Sequence, residues 1–227
     1  METTTVGGVI GSALAAVAPL VVKSIRSRLW KNIRRAFGQH DRYITQKMIE
    51  SELDIYGTLT GLLTSLGADR AYVFQFHNGA IFSFRNPVWK LSCTHPSVRP
   101  GYSKGYDSMQ DVIASTVIEL IAPLYGIYGP GTAAHPCKAC VECAKHGRGL
   151  AVFDVEQMPE TTTKGTLQTR GVKSMAFTPL IHDGEIGGFM GLDFCTASAE
   201  EVATRCLADL CKASTRVSSM LEAKRKL

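Results

Sequence analysis

The chain lacks every short motif that announces an enzyme: no Walker phosphate loop, no His-Glu-x-x-His pair, no dinucleotide fingerprint, no nucleophile elbow. It also lacks a long apolar run. The best, Val6 to Val22, is 17 uncharged residues interrupted by Pro19, at the bottom of the length that spans a bilayer core. Its positive charges follow that run instead of preceding it, which excludes a secretory signal. Acidic residues are missing between Lys23 and Gln39. Cysteine is present but unpaired in number: seven residues, three clustered and four scattered. That is not a small secreted disulfide framework, and a reducing intracellular setting is expected, with a virion as the alternative.

What is present divides the chain into an extension, residues 1–40, and a body, residues 41–227. Lys23, Arg26, Arg28, Lys31, Arg34 and Arg35 concentrate the basic character. Removing those six charges from the net +5 leaves about −1, so the body is nearly neutral. Residues 6–37 admit three readings: a marginal membrane anchor with its charges on the cytoplasmic side, an amphipathic surface helix carrying Trp30, or a segment buried against partner subunits. The basic stripe also suits nucleic-acid phosphates, though charge alone reads no sequence. A solvated helix face is the plainer reading.

In the body, Ile44, Met48, Ile49, Leu53, Tyr56, Leu59, Leu62, Leu63 and Leu66 recur at helical spacing and predict a helix over 42–66, stopped by Gly67. Residues 70–76 predict a strand, His77-Asn78-Gly79 a turn, and 80–84 a returning strand. A strand over 89–94, a helix over 107–120, a turn-rich 123–136, a strand over 151–155 and a short helix or ordered loop over 160–170 follow. Val202, Leu207, Leu210, Ala213, Val217, Met220 and Leu221 give the last segment, 197–227, an amphipathic helical face.

The stretch Gly171 to Phe194, GVKSMAFTPLIHDGEIGGFMGLDF, carries the most information. Asp183-Gly184 supplies the positive-φ positions of a tight hairpin turn. Gly187, Gly188 and Gly191 mark a strand lying close to something packed on it. This hairpin resembles the closing hairpin of a GAF domain, and helix, GADRAYVFQFHNG and hairpin resemble its start. The resemblance covers about residues 42–223. It implies an α+β fold: a central antiparallel sheet, first and last helices on one face, and loops and short helices on the other. It further implies a sensory or partner-binding module, often dimeric through those helices.

His135-Pro-Cys137-Lys-Ala-Cys140-Val-Glu-Cys143-Ala-Lys-His146 is the local metal candidate, within a Cys-rich insert at about 129–149. Cys137, Cys140 and Cys143 with His135 or His146 could close a zinc tetrahedron. An iron–sulfur cluster fits less well, because the fourth cysteine before proline is missing. Three packed thiols without metal are the plain alternative.

For a small ligand, strand alternation groups Tyr72, Phe74, Phe76 and Asn78, and separately Met175 and Phe177; Trp89 and Asp154 complete the candidate pocket. The alternative is a filled core in which these aromatics meet. His77 reads as a turn cap, Asp154 and Asp193 as solvated or capping acids at strand ends, and Cys195 as a buried cysteine. The expectation is a non-enzymatic module acting through its terminal helices. With no output domain in the sequence, a homo-oligomer or another chain would carry the signal. The alternative is a structural subunit of a large assembly such as a phage virion.

Overall fold

The computed structural model describes residues 43–81, 87–103, 105–106, 109–135 and 150–225. By its contacts the chain divides into Met1–Ile49 and Glu50–Leu227. Of the first unit only 43–49 are described, as helix. The apolar and basic extension therefore lies outside the described residues, as do Cys137, Cys140, Cys143, His146 and the side chain of His135.

Helix α1 covers 43–66. Ile55, Leu59, Leu62, Leu63 and Leu66 are buried along one face, and Gly67 ends the helix at φ +65°, a conformation glycine adopts without a Cβ penalty. Among the described residues, seven strands form one sheet in the order β3-β2-β1-β7-β6-β5-β4. They are β1 Arg70–Ile81, β2 Pro87–Val98, β3 Val112–Ile113, β4 Thr132–His135, β5 Leu150–Asp154, β6 Ser174–His182 and β7 Glu185–Phe194. Every neighbouring pair is antiparallel. Between β6 and β7, Asp183 and Gly184 take φ +49° and +82°, the two positive values the Asp-Gly turn demands.

Two sequence expectations are corrected. His77-Asn78-Gly79 is not a turn: β1 continues through it to Ile81, and the register slips between Asn78 and Ala80. Gly79 is the extra residue of a β-bulge, which uses the same residue types as a turn. Nor does one helix occupy 107–120. There the chain makes β3, a 3₁₀ turn Ala114–Val117, a short helix α2 Ile118–Ile121 and a second 3₁₀ turn Ala122–Tyr125. Val112, Ile113, Val117 and Ile118 are β-branched, and Pro123 lacks the donor a continuous helix needs.

Helix α3 spans Thr162–Thr169 and helix α4 spans Ala199–Arg225. α4 opens on a reciprocal capping box: Glu201 N donates to Ser198 Oγ (3.3 Å) and Ser198 N to Glu201 Oε2 (2.8 Å). Val202, Leu210 and Val217 of α4 are fully buried, each worth about 1.5–3 kcal/mol. They join α1 and Val73, Val152, Ala176, Met190 and Leu192 in the core on one sheet face. The other face carries a second core, aromatic, covered by Tyr106, the 109–125 segment and α3.

A polar clasp ties α1, β2 and the end of α4. His95 Nε2 donates to Glu52 Oε2 (2.8 Å), Thr94 Oγ1 to His95 Nδ1 (2.8 Å), and Lys224 Nζ to the other Glu52 oxygen. Burial pulls the Glu52 carboxyl up, but the Lys224 hydrogen bond and the His95 and Lys224 charges outweigh it and leave it below its ordinary value. Burial holds the His95 imidazole below its own. Both groups have depressed folded-state values, so both contribute stability at neutral pH that is lost as pH falls. Glu52→Gln is expected to cost about 0.5–1 kcal/mol at pH 7, since the pair is partly exposed. Chemical denaturation at pH 7 and pH 4 should show that cost shrinking in acid.

Candidate functional site

Alternation along the central strands builds the site. Tyr72 and Phe74 of β1, Met175 of β6 and Phe189 of β7 face away from α1 and α4, into the aromatic core. There they wall a cavity of about 340 Å³ with Leu91, Tyr106, Met109, Val117, Leu120 and Leu167. Thr116, Thr162, Thr163, Thr166 and Arg170 supply its polar edge. The Tyr72 ring lies over Gly191, where a Cβ would meet Cε2 at 2.4 Å. This close approach explains one of the strand glycines.

Of the eight candidate pocket residues, the structure brings three to this cavity: Tyr72, Phe74 and Met175. Phe177 is filled core, stacked on Phe153 at 4.6 Å and tilted on Phe189 at 5.2 Å. Phe76 is half-buried and packs on Trp89 at 6.0 Å, and Trp89 itself is 46% exposed. Asp154 caps a turn, accepting from Glu156 N (3.1 Å) and Gln157 Nε2 (3.0 Å). Asn78 belongs to β1, and its side chain lies outside the described residues. Among the described residues no group of three or more His, Cys, Asp or Glu could hold a metal ion.

Beneath the tyrosines lies a polar hub. Asp193 is not a solvated strand-end acid; it is fully buried. It accepts from Tyr72 Oη (3.0 Å) and from Tyr106 Oη, and Arg70 Nη1 sits 3.7 Å away. Burial pushes the Asp193 carboxyl up to about 6, against the pull of both hydroxyls, Arg70 and Arg170. Burial and the Asp193 charge raise both phenols well above their ordinary value. Arg70 also donates to the carbonyls of Ser103 (2.8 Å) and Arg170 (3.0 Å) and to Cys195 Sγ (3.7 Å). Cys195 is only partly buried, contrary to expectation. His77, rather than capping a turn, pairs with Ser92 Oγ across the strands at 2.9 Å.

Arg170 reaches the cavity because α3 stops there. Gly171 takes φ +70°, and Val172 N returns to the Leu167 carbonyl. The Arg170 guanidinium lies over the Tyr106 ring at 4.7 Å, donating to Gly105 O (2.7 Å) and Met109 Sδ (3.4 Å). The hub also touches the ends of both long helices. Asp69, three residues beyond α1, donates its N–H to the Asp193 carbonyl (2.9 Å), and its carboxylate accepts from Cys195 N (2.7 Å), four residues before α4.

An antiparallel sheet with terminal helices on one face and an aromatic cavity under short helices on the other defines an α+β class of sheet-and-helix domain. A family model of the GAF domain matches residues 55–213, and the chain belongs to that family, whose members are sensory, ligand-binding modules. The GAF domain region of a protein named as a membrane protein from Geobacter sulfurreducens PCA superposes with TM-score 0.51 at 14% identity, covering 80% of this chain and 99% of its own. The phycocyanobilin-bound GAF domain of a cyanobacterial phytochrome gives 0.48 at 16%, covering 82% and 93%. A segment of a methyl-accepting chemotaxis protein gives 0.47 at 13%, covering 82% and 98%. Comparison with curated protein sequences finds no match.

Proposed function

We propose that this chain is a non-enzymatic sensory module that binds a small molecule in the aromatic cavity and reports occupancy to a partner chain through α1 and α4. The observation that carries the reading is the hub. Tyr72 and Tyr106 are at once cavity wall and donors to Asp193, whose backbone and neighbours hold the ends of both helices. A ligand that shifts either ring changes what Asp193 accepts, and strain there is passed to Asp69 and Cys195. The cavity volume lies within the 300–1,000 Å³ common for ligand sites, and its lining is mostly apolar with few polar groups, as such sites are. A perturbed carboxyl beside a cleft points the same way.

Membership of the GAF family, whose members are sensory modules, supports the regulatory side of the reading. An intracellular setting, with contact to membrane, nucleic acid or partner subunits through residues 6–37, belongs to the same proposal. The virion-subunit alternative draws no support from the comparisons. A bulky residue at the exposed mouth tests the cavity: Thr166→Trp is expected to abolish ligand binding measured by calorimetry while leaving the melting temperature nearly unchanged. Retained binding would place the ligand elsewhere.

A further inference from the structure

If the cavity is a ligand site, its lining also specifies the ligand's chemistry. An engineered apolar cavity near 150 Å³ holds one benzene ring, so about 340 Å³ suits roughly two rings. Phe74 and Phe189 stack at 5.0 Å, and Tyr72 and Tyr106 line the same wall, an aromatic lining that favours a planar aromatic body.

The polar groups on the wall are mostly committed. Both tyrosine hydroxyls donate to Asp193. Thr116 donates to Ile113 O (2.7 Å), Thr166 to Thr162 O (2.8 Å) and Thr163 to Glu119 Oε2 (3.5 Å). Arg170 is different. A guanidinium has five N–H donors, and here one bond goes to a carbonyl and one to a thioether. Among the described residues no carboxylate lines the cavity, and none pairs with Arg170 within 4.0 Å. The buried Asp193 nearby already has Arg70 beside it. The wall thus presents a half-buried, fork-shaped cation at the edge of an apolar cavity, a geometry suited to a bidentate carboxylate contact.

We propose that the cavity selects a planar aromatic carboxylate of one or two rings, with its carboxylate on Arg170 and its rings against the wall that Phe74, Phe189 and Tyr106 form. The test titrates the full chain with 2-naphthoate and with neutral 2-naphthamide, followed by calorimetry. The acid is expected to bind at least about tenfold more tightly, as befits a charge-assisted pair. Arg170→Gln should bring that ratio to near one, whereas Arg170→Lys should keep part of it. Equal binding of acid and amide, or a preference that survives Arg170→Gln, would overturn the charge assignment and leave the cavity as a site. Binding of neither compound would overturn the ligand class proposed, whereas binding that survives Thr166→Trp would overturn the cavity reading itself.

Discussion

Gly188→Ala is expected to destabilise the domain by about 3 kcal/mol or more, lowering the melting temperature by roughly 6–12 °C. Gly188 lies on β7, paired with Gln75 of β1 and Leu180 of β6 at the centre of the sheet. A Cβ there would sit 2.1 Å from the Phe74 carbonyl oxygen and 3.0 Å from Gln75 Cα. Those neighbours are backbone, so no side-chain rotation relieves the clash. The β1–β7 ladder would have to part, and Phe74 on the cavity wall would move with it. Thermal unfolding followed by circular dichroism checks this. The matched control is Gly165→Ala on α3, where an added Cβ meets nothing within 4 Å and helix propensity improves. A loss below about 1 kcal/mol at Gly188 would show that the strands do not approach this closely.

The second large effect is a pH dependence centred on Asp193. Its carboxyl rises from an ordinary 3.8 to about 6 in the folded protein, chiefly through burial. A group raised on folding contributes stability that is fully present below its unfolded value and lost as pH rises through the folded one. Two units correspond to about 3 kcal/mol. Between pH 4 and pH 7, folding stability should therefore lose about 2.4 kcal/mol of this from the group, a cost absent in Asp193→Asn. The Glu52–His95 clasp acts in the opposite sense, so the informative quantity is the difference between wild type and variant. Urea unfolding at both pH values gives it directly. A pH-independent difference would mean that Asp193 is not held in the burial described. At neutral pH the fold thus carries a costly buried carboxylate under the cavity, as expected where it serves the site rather than stability.

The sequence showed the fold wherever one physical signal dominated. Helical periodicity located α1 and α4, and Asp183-Gly184 located the β6–β7 hairpin, because only a turn with two positive φ angles suits that pair. Where two structures share one chemistry, it misled. His77-Asn78-Gly79 serves a bulge as readily as a turn, and the apolar spacing over 107–120 serves a chain of short turns as readily as a helix. The cavity was legible only from its strand side. Tyr72, Phe74 and Met175 follow from alternation, but Tyr106 and Arg170 come from a loop and a helix cap, which no period marks. Asp193 was visible as an acid at a strand end. Its burial depends on Tyr106, Arg70 and Arg170 converging from far along the chain.

The central claim is that the aromatic cavity admits a small molecule, and methionine methyl NMR addresses it most directly. Met109 and Met175 lie on the cavity wall, whereas Met190 is buried in the core on the opposite sheet face and Met48 is exposed on α1. With ¹³C-methyl methionine in the full chain, a set of one- and two-ring aromatic compounds is titrated and the methyl shifts are followed. The account predicts that binders shift Met109 and Met175 first and that Thr166→Trp silences both responses. Compounds that shift only Met48, or none that shifts any methyl, would contradict it.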